Sequence, residues 1–259
     1  MRLAASASLV IMLSAGAAGQ QAQAPRQERG GGQPDQPRIR ALLVSGGCCH
    51  DYMLQDKILV DAVDKVLPVD WTIALQGGRG TRARIPLYSD PAWFEGYDVV
   101  VHNECHADVD DAEFIRRITA AHRAGVPALV IHCAMHSYRA AAVDDWREFL
   151  GVTSRRHTRQ HNISLKIADR QHGATKGFKE DWVTPRDELY VIDKLWPNAK
   201  ALATAISPDD QREYPVVWVN EYGGARVFGT TLGHGNDTWQ DPVFQDLLVR
   251  GFKWAVKKE

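Results

Sequence analysis

GVPALVIHCAMHSY, residues 125–138, decides how the rest of the chain is read. Gly125 and Pro127 frame the apolar run Ala128-Leu129-Val130-Ile131, after which come His132, Cys133, His136, Ser137 and Tyr138. A short apolar run bounded by Gly and Pro reads as a buried strand of a parallel sheet. In open α/β sheets, ligands lie outside the carboxyl ends of the strands, so the polar residues after Ile131 fall where chemistry is usually done.

Upstream, Arg38–Gly47 reads as a strand ending in Gly-Gly, and the loop after it carries Cys48, Cys49, His50, Asp51 and Tyr52. Apolar residues at helical spacing predict a helix over 54–67, ended by Pro68. A strand is expected at 69–75, a Gly- and Arg-rich surface loop at 76–92, and a strand at 97–101 that runs out into His102-Asn103-Glu104-Cys105-His106. Asp108, Asp110 or Asp111 can cap a helix over 112–124. The order βαβαβ implies a doubly wound, mostly parallel sheet of flavodoxin-like type in a single α/β domain over 38–258. Downstream, a short helix is expected at 144–150 and strands at 162–168, 187–192 and 201–206. Strands at 214–222 and 225–232 join through Gly223-Gly224, and a final helix spans 242–257.

The first 24 residues carry Arg2 and an apolar segment, Leu3 to Ala18, then small residues. This is the pattern of a secretory signal, with cleavage between 18 and 24, and too short for a stable span. The alternative is an uncleaved anchor. Residues 25–37 are a linker rich in Gln, Gly, Pro and Arg, with little to bury. The expected location is therefore exported, periplasmic or extracellular, with no membrane span after cleavage. The 259 residues carry a formal net charge of −1 without a basic stripe, so nucleic acid is not an expected partner.

Strand polarity alone brings histidines to one sheet edge: His50, His102, His132 and, if the strand at 225–232 joins in parallel, His234. Neutral imidazoles with carboxylates suit a divalent metal, zinc or similar, and Asp51 and Glu104 are the nearby oxygen donors. Against this stands the plainer reading that each histidine bonds a loop backbone. The four cysteines fall on the same edge and match no standard zinc spacing. Cys48 and Cys49 can pair with each other, or one of them with Cys105 or Cys133. Cys133 invites a nucleophile reading, but a buried or disulfide-bonded thiol is the simpler one. The pair Asp187-Glu188 has an ordinary explanation as the start of an element. Most of the eight tryptophans belong in the core, with Trp239 the one placed at a pocket wall.

The segments LLVSGGCCHDY (42–52), YDVVVHNECHAD (97–108), GVPALVIHCAMHSYR (125–139), DELY (187–190) and PVVWVNEYGGARVFGTTLGHGNDTW (215–239) resemble the ThuA-like, trehalose-utilisation family. That family is similar in fold to class I glutamine amidotransferases. The resemblance implies a role in carbohydrate catabolism, on trehalose or another disaccharide or a 3-keto-glycoside, with a sugar dehydrogenase as functional partner. The amidotransferase nucleophile pattern, G-x-P-x-x-x-I-C, is matched at Gly125, Pro127 and Ile131, but His132 follows and Cys133 lies one position late. A one-residue shift turns a side chain to the other face, which tells against glutamine hydrolysis. Removing a proton alpha to a sugar ketone needs a base and an electrophile. His132, Glu104, His50, His102 and His234 are the candidate catalytic residues, and Asp51, His136, Tyr138, Asn236 and Trp239 the candidate substrate contacts. A metal would be held among His50, His102, His132 and His234. A non-catalytic carbohydrate-binding domain and a Cys133-dependent, amidotransferase-like hydrolase are the alternatives.

Overall fold

The computed structural model describes residues 37–258. The expected signal segment, and the linker as far as residue 36, lie outside the described residues. The first half is β1 (Ile39–Gly47), α1 (Tyr52–Asp64), β2 (Val69–Leu75), β3 (Val99–Cys105), α2 (Ala112–Arg123) and β4 (Ala128–Ile131). There follow α3 (Asp145–Leu150), β5 (Val152–His157), β6 (His161–Ser164), β7 (Lys166–Ile167), β8 (Val183–Asp187) and β9 (Tyr190–Leu195). The chain closes with β10 (Ala199–Ile206), β11 (Glu213–Tyr222), β12 (Ala225–Thr230), α4 (Asn236–Gln240) and α5 (Pro242–Ala255).

The main sheet has eight strands in the order β2-β1-β3-β4-β12-β11-β10-β7. Its first five are mutually parallel, and β11, β10 and β7 add antiparallel pairings at one side. The parallel strands carry near-continuous apolar runs because both faces are covered: Ala41–Val44, Val99–Val101 and Ala128–Ile131 are all fully buried. Helix α1 packs with α4 and α5, and α2 packs with α3. The chain leaves β1 outward to β2 and then crosses back to β3, so the sheet reverses direction beside β1. That reversal is the crevice where doubly wound sheets bind ligands.

Gly46 and Gly47 make the crevice possible. Both have positive φ, 128° and 101°, and a Cβ would lie 1.9 Å from the Gln76 carbonyl oxygen at the first and 2.2 Å from that of Cys105 at the second. Only glycine lets the end of β1 pass between its neighbours this closely.

Several elements differ from the sequence-based expectation. Helix α1 starts at Tyr52, two residues early, because Asp51 caps it by accepting from Leu54 N. Strand β3 runs on through His102 to Cys105 instead of stopping at Val101, since Ser45, Gly46 and Gly47 of β1 pair with Asn103, Glu104 and Cys105. The strand expected at 162–168 is divided into β6 and β7, and the one expected at 187–192 into β8, ending at Asp187, and β9, starting at Tyr190. Strand β5 and helix α4 carry too little periodicity to be seen in advance.

Candidate active site

Three histidines from three different connections meet at the crevice. His50 follows β1, His132 follows β4, and His234 follows β12. Their ring centroids are 4.9, 5.1 and 5.4 Å apart, and one ring nitrogen from each lies within 4.8 Å of the others. His132 has φ 46°, a left-handed conformation unusual for a side-chain-bearing residue, as the first residue of the short 3-10 turn His132–His136 that follows β4.

Two of these rings have a fixed tautomer. His50 Nδ1 lies 3.1 Å from the His234 carbonyl oxygen, and His132 Nδ1 lies 2.7 Å from that of Thr231. A carbonyl only accepts, so each Nδ1 carries the proton. Burial keeps both rings neutral: it pushes His50 down to about 4 and His132 well below the usual histidine range. Each therefore presents a bare Nε2. The Tyr190 hydroxyl, 3.3 Å away, is placed to donate to that of His132.

Glu188 supplies the carboxylate of the site. Its Oε2 lies 3.3 Å from His234 Nδ1, 3.5 Å from His157 Nδ1 and 3.8 Å from His132 Nε2. Its carboxylate raises the His234 imidazole above its ordinary range, and the charges of His234 and His157 hold the carboxylate itself low against the upward push of burial. Asp187 builds the frame beneath. Its carboxylate accepts from Gly233 N at 2.8 Å, His234 N at 3.0 Å and Glu188 N at 2.8 Å, which ties the end of β8 to the loop after β12.

His136 stacks on Tyr190 at 4.0 Å and bonds Ser154 Oγ through Nε2. A cavity of about 160 Å³ is lined by His50, His136, His157, Glu188, Tyr190 and His234 among others. Beside it, sharing Cys49 and His50, is an open cleft of about 750 Å³ that also includes Asp51, Gln76 and Arg79. A cleft of that size is within the range of small-molecule sites.

The cysteines form the wall between crevice and sheet. Cys48 is bonded to Cys49 and Cys105 to Cys133, and no free cysteine occurs among the described residues. The tie to Cys105 removes the Cys133 thiolate that a cysteine hydrolase would need.

Of the other expected site residues, Asp51 and Asn236 stay at the cleft and the rest lie elsewhere. His102 and Glu104 are fully buried and form a separate cluster on the side of α2 and α3. His102 Nδ1 is 3.0 Å from Glu104 Oε1, His102 Nε2 is 2.9 Å from His122 Nε2, and the Tyr88 hydroxyl donates to Glu104. Successive side chains of a strand point to opposite faces. Because β3 continues to Cys105, His102 and Glu104 turn together into the helix layer, while Asn103 faces Gln55 and Asp56 of α1. Tyr138 is buried against Phe114 and Trp146, its phenol raised by burial and by Glu104. Asp51 and Asn236 bond each other at 3.1 Å at the rim. Trp239 is fully buried; its Nε1 donates to the Gly233 carbonyl at 2.7 Å and supports the His234 loop from behind.

Glu188, His157 and Tyr190 were not anticipated as site residues. The signal available was DELY, an acid pair before an aromatic at a strand boundary, but nothing local says that its carboxylate meets histidines from three other segments.

A family model described as "ThuA: Trehalose utilisation" matches residues 62–255. No curated protein matches the chain. Among solved structures, a ThuA-like protein from Parabacteroides merdae ATCC 43184 superposes with a TM-score of 0.71 at 23% identity, covering 86% of this chain and 91% of that one. A ThuA-like protein from Bacteroides uniformis ATCC 8492 gives 0.66 at 16% identity, covering 88% and 97%. A cold-adapted beta-galactosidase from Rahnella sp. R3 gives 0.57 at 15% identity over 86% of this chain and 32% of that one. At these identities the likeness is one of fold.

Proposed function

The chain belongs to the ThuA family, described as one of trehalose utilisation, and from that premise we propose that its histidine crevice carries out acid–base chemistry on a keto-sugar derived from a disaccharide. The observation that carries this reading is the bare Nε2 of His50 and of His132 beside His234, that of His132 lying 3.8 Å from the Glu188 carboxylate. A carboxylate and neutral imidazoles in a half-closed pocket are a base and a set of proton carriers. The sugar would lie in the open cleft over Cys49 and His50, its carbonyl side toward the histidines.

In this reading Glu188 removes the proton alpha to the ketone. His234, protonated by virtue of Glu188, returns a proton to the oxygen or to the leaving group. Tyr190 holds His132, and Asp187 holds the loop that carries His234. The donor set also fits a divalent ion of zinc type: the neutral imidazoles of His50 and His132, that of His234 once it gives up its proton, and the Glu188 carboxylate as a neighbour. His50, His132 and His234 would hold it, and it would supply Lewis-acid polarisation of the sugar carbonyl. His102, named with these three from the sequence, stands outside that set. Export from the cytoplasm and cooperation with a sugar dehydrogenase, which makes the ketone, belong to the same proposal.

The test follows trehalose and 3-ketotrehalose by NMR in the presence of the purified protein, with and without added Zn²⁺. Conversion of the keto sugar and not of trehalose is expected. Line broadening without conversion of either sugar would overturn the enzyme reading and favour a carbohydrate-binding domain.

A further inference from the structure

Outside the proton chemistry of the crevice, the fold brings four sulfurs together from three connections. Cys48 and Cys49 follow β1, Cys105 ends β3, and Cys133 lies one residue beyond the His132 that follows β4. The two disulfides do not merely share a neighbourhood. Cys48 Sγ lies 3.5 Å from Cys105 Sγ, a nonbonded contact between one disulfide and the other. The backbones are joined at the same place, since Cys48 N donates to the Cys105 carbonyl oxygen. Exposure is graded along the row: Cys49 is exposed and opens on the large cleft, Cys48 is half-buried, and Cys105 and Cys133 are buried. A ring nitrogen of His50 lies within 4.8 Å of the sulfurs of Cys105 and Cys133.

We infer that the four cysteines form one thiol–disulfide exchange site, which accepts two electrons from a dithiol at exposed Cys49 and delivers a thiol to Cys133 at the histidine crevice. A thiolate of the dithiol attacks Cys49 Sγ, and the Cys48–Cys49 bond breaks with Cys48 leaving as a thiolate. Cys48 then attacks Cys105 Sγ across the 3.5 Å contact, the Cys105–Cys133 bond breaks, and Cys133 leaves as a thiolate. The second thiol of the dithiol resolves the mixed disulfide at Cys49 and departs as an oxidised disulfide. One dithiol is oxidised and one protein disulfide is reduced; its two protons end on Cys49 and Cys133, and Cys48–Cys105 remains as the single protein disulfide. This site stands on sulfur geometry alone and does not depend on the sugar chemistry proposed above.

Exchange is read by disulfide mapping. Wild-type protein is treated with one equivalent of dithiothreitol, acid-quenched, alkylated with iodoacetamide and mapped by mass spectrometry without further reduction. Alkylation of Cys49 together with Cys133, and a Cys48–Cys105 linked peptide, is expected. Alkylation of Cys48 together with Cys49 while Cys105–Cys133 stays intact would overturn the inference. Cys49→Ala gives the same reading without added reductant: Cys133 is alkylated and Cys48–Cys105 is found. Labelling confined to Cys48 in that variant would also overturn it.

Discussion

Glu188 sits within 3.8 Å of a ring nitrogen of each of three histidines, so its substitution separates charge from shape. Glu188→Gln is expected to lower turnover of a keto-sugar substrate by roughly 10²–10⁴, the usual contribution of a positioned base. The same variant should bring the His234 imidazole down in the metal-free protein, followed by NMR titration, because the carboxylate is the first cause of its raised value. An unchanged His234 titration would remove Glu188 from the site. Asp56 makes an independent case within the fold. Buried beside Ser45 and Asn103, it is pushed up to about 6 from 3.8. Between those values the folded state holds a proton that the unfolded state has lost, so stability falls as pH rises through the window and is highest below it. A shift of about two units is worth about 3 kcal/mol. Asp56→Asn is therefore expected to flatten the pH dependence between about 4 and 6 and to raise stability at pH 7.5, as measured by chemical denaturation at both ends. The site was half legible at this scale. His50, His132 and His234 could be placed from strand polarity, whereas Glu188 could not, because its contacts are all long-range. His102 and Glu104 were drawn to the edge by proximity in sequence, and strand alternation turns them away from it.

At the scale of elements, β11 and β12 hold the crevice by a contact that leaves no spare room. Gly229 pairs with Trp218 across the two strands, and a Cβ at 229 would lie 2.3 Å from Trp218 Cε2. The ring cannot swing aside, because its Nε1 donates to the Leu150 carbonyl at 2.7 Å and it is fully buried. Gly229→Ala is expected to destabilise the fold by roughly 1–3 kcal/mol, the usual cost of overpacking, with a matching fall in the denaturation midpoint. A neutral result would mean that Trp218 repacks freely. The hairpin itself was readable from its Gly223-Gly224 turn and apolar alternation. The boundary at Asp187-Glu188 was not, because the residue that ends β8 does so by accepting three backbone N–H groups, two of them from the loop after β12.

For the whole molecule, the main hydrophobic core is one cluster running from β1 and α1 through β12 to α5, with a small second cluster of Tyr52, Cys105 and Cys133 beside it. Trp146, Trp218 and Trp239 are fully buried in it at separate places. Tryptophan fluorescence and far-UV circular dichroism are therefore expected to report one coincident unfolding transition. Separated transitions would mean that the antiparallel side, β7 with β10 and β11, melts apart from the parallel strands. The amino-acid sequence by itself determined the class of fold, the polarity of the strands and the edge at which polar residues collect. Apolar periodicity, Gly and Pro boundaries and chain reversals are local properties that short segments carry alone. Only the tertiary structure decided which histidines meet, that Glu188 joins them, and how four cysteines pair. Those choices depend on strand order, on the face each side chain takes, and on loops held by residues far away in sequence, as Asp187 holds His234.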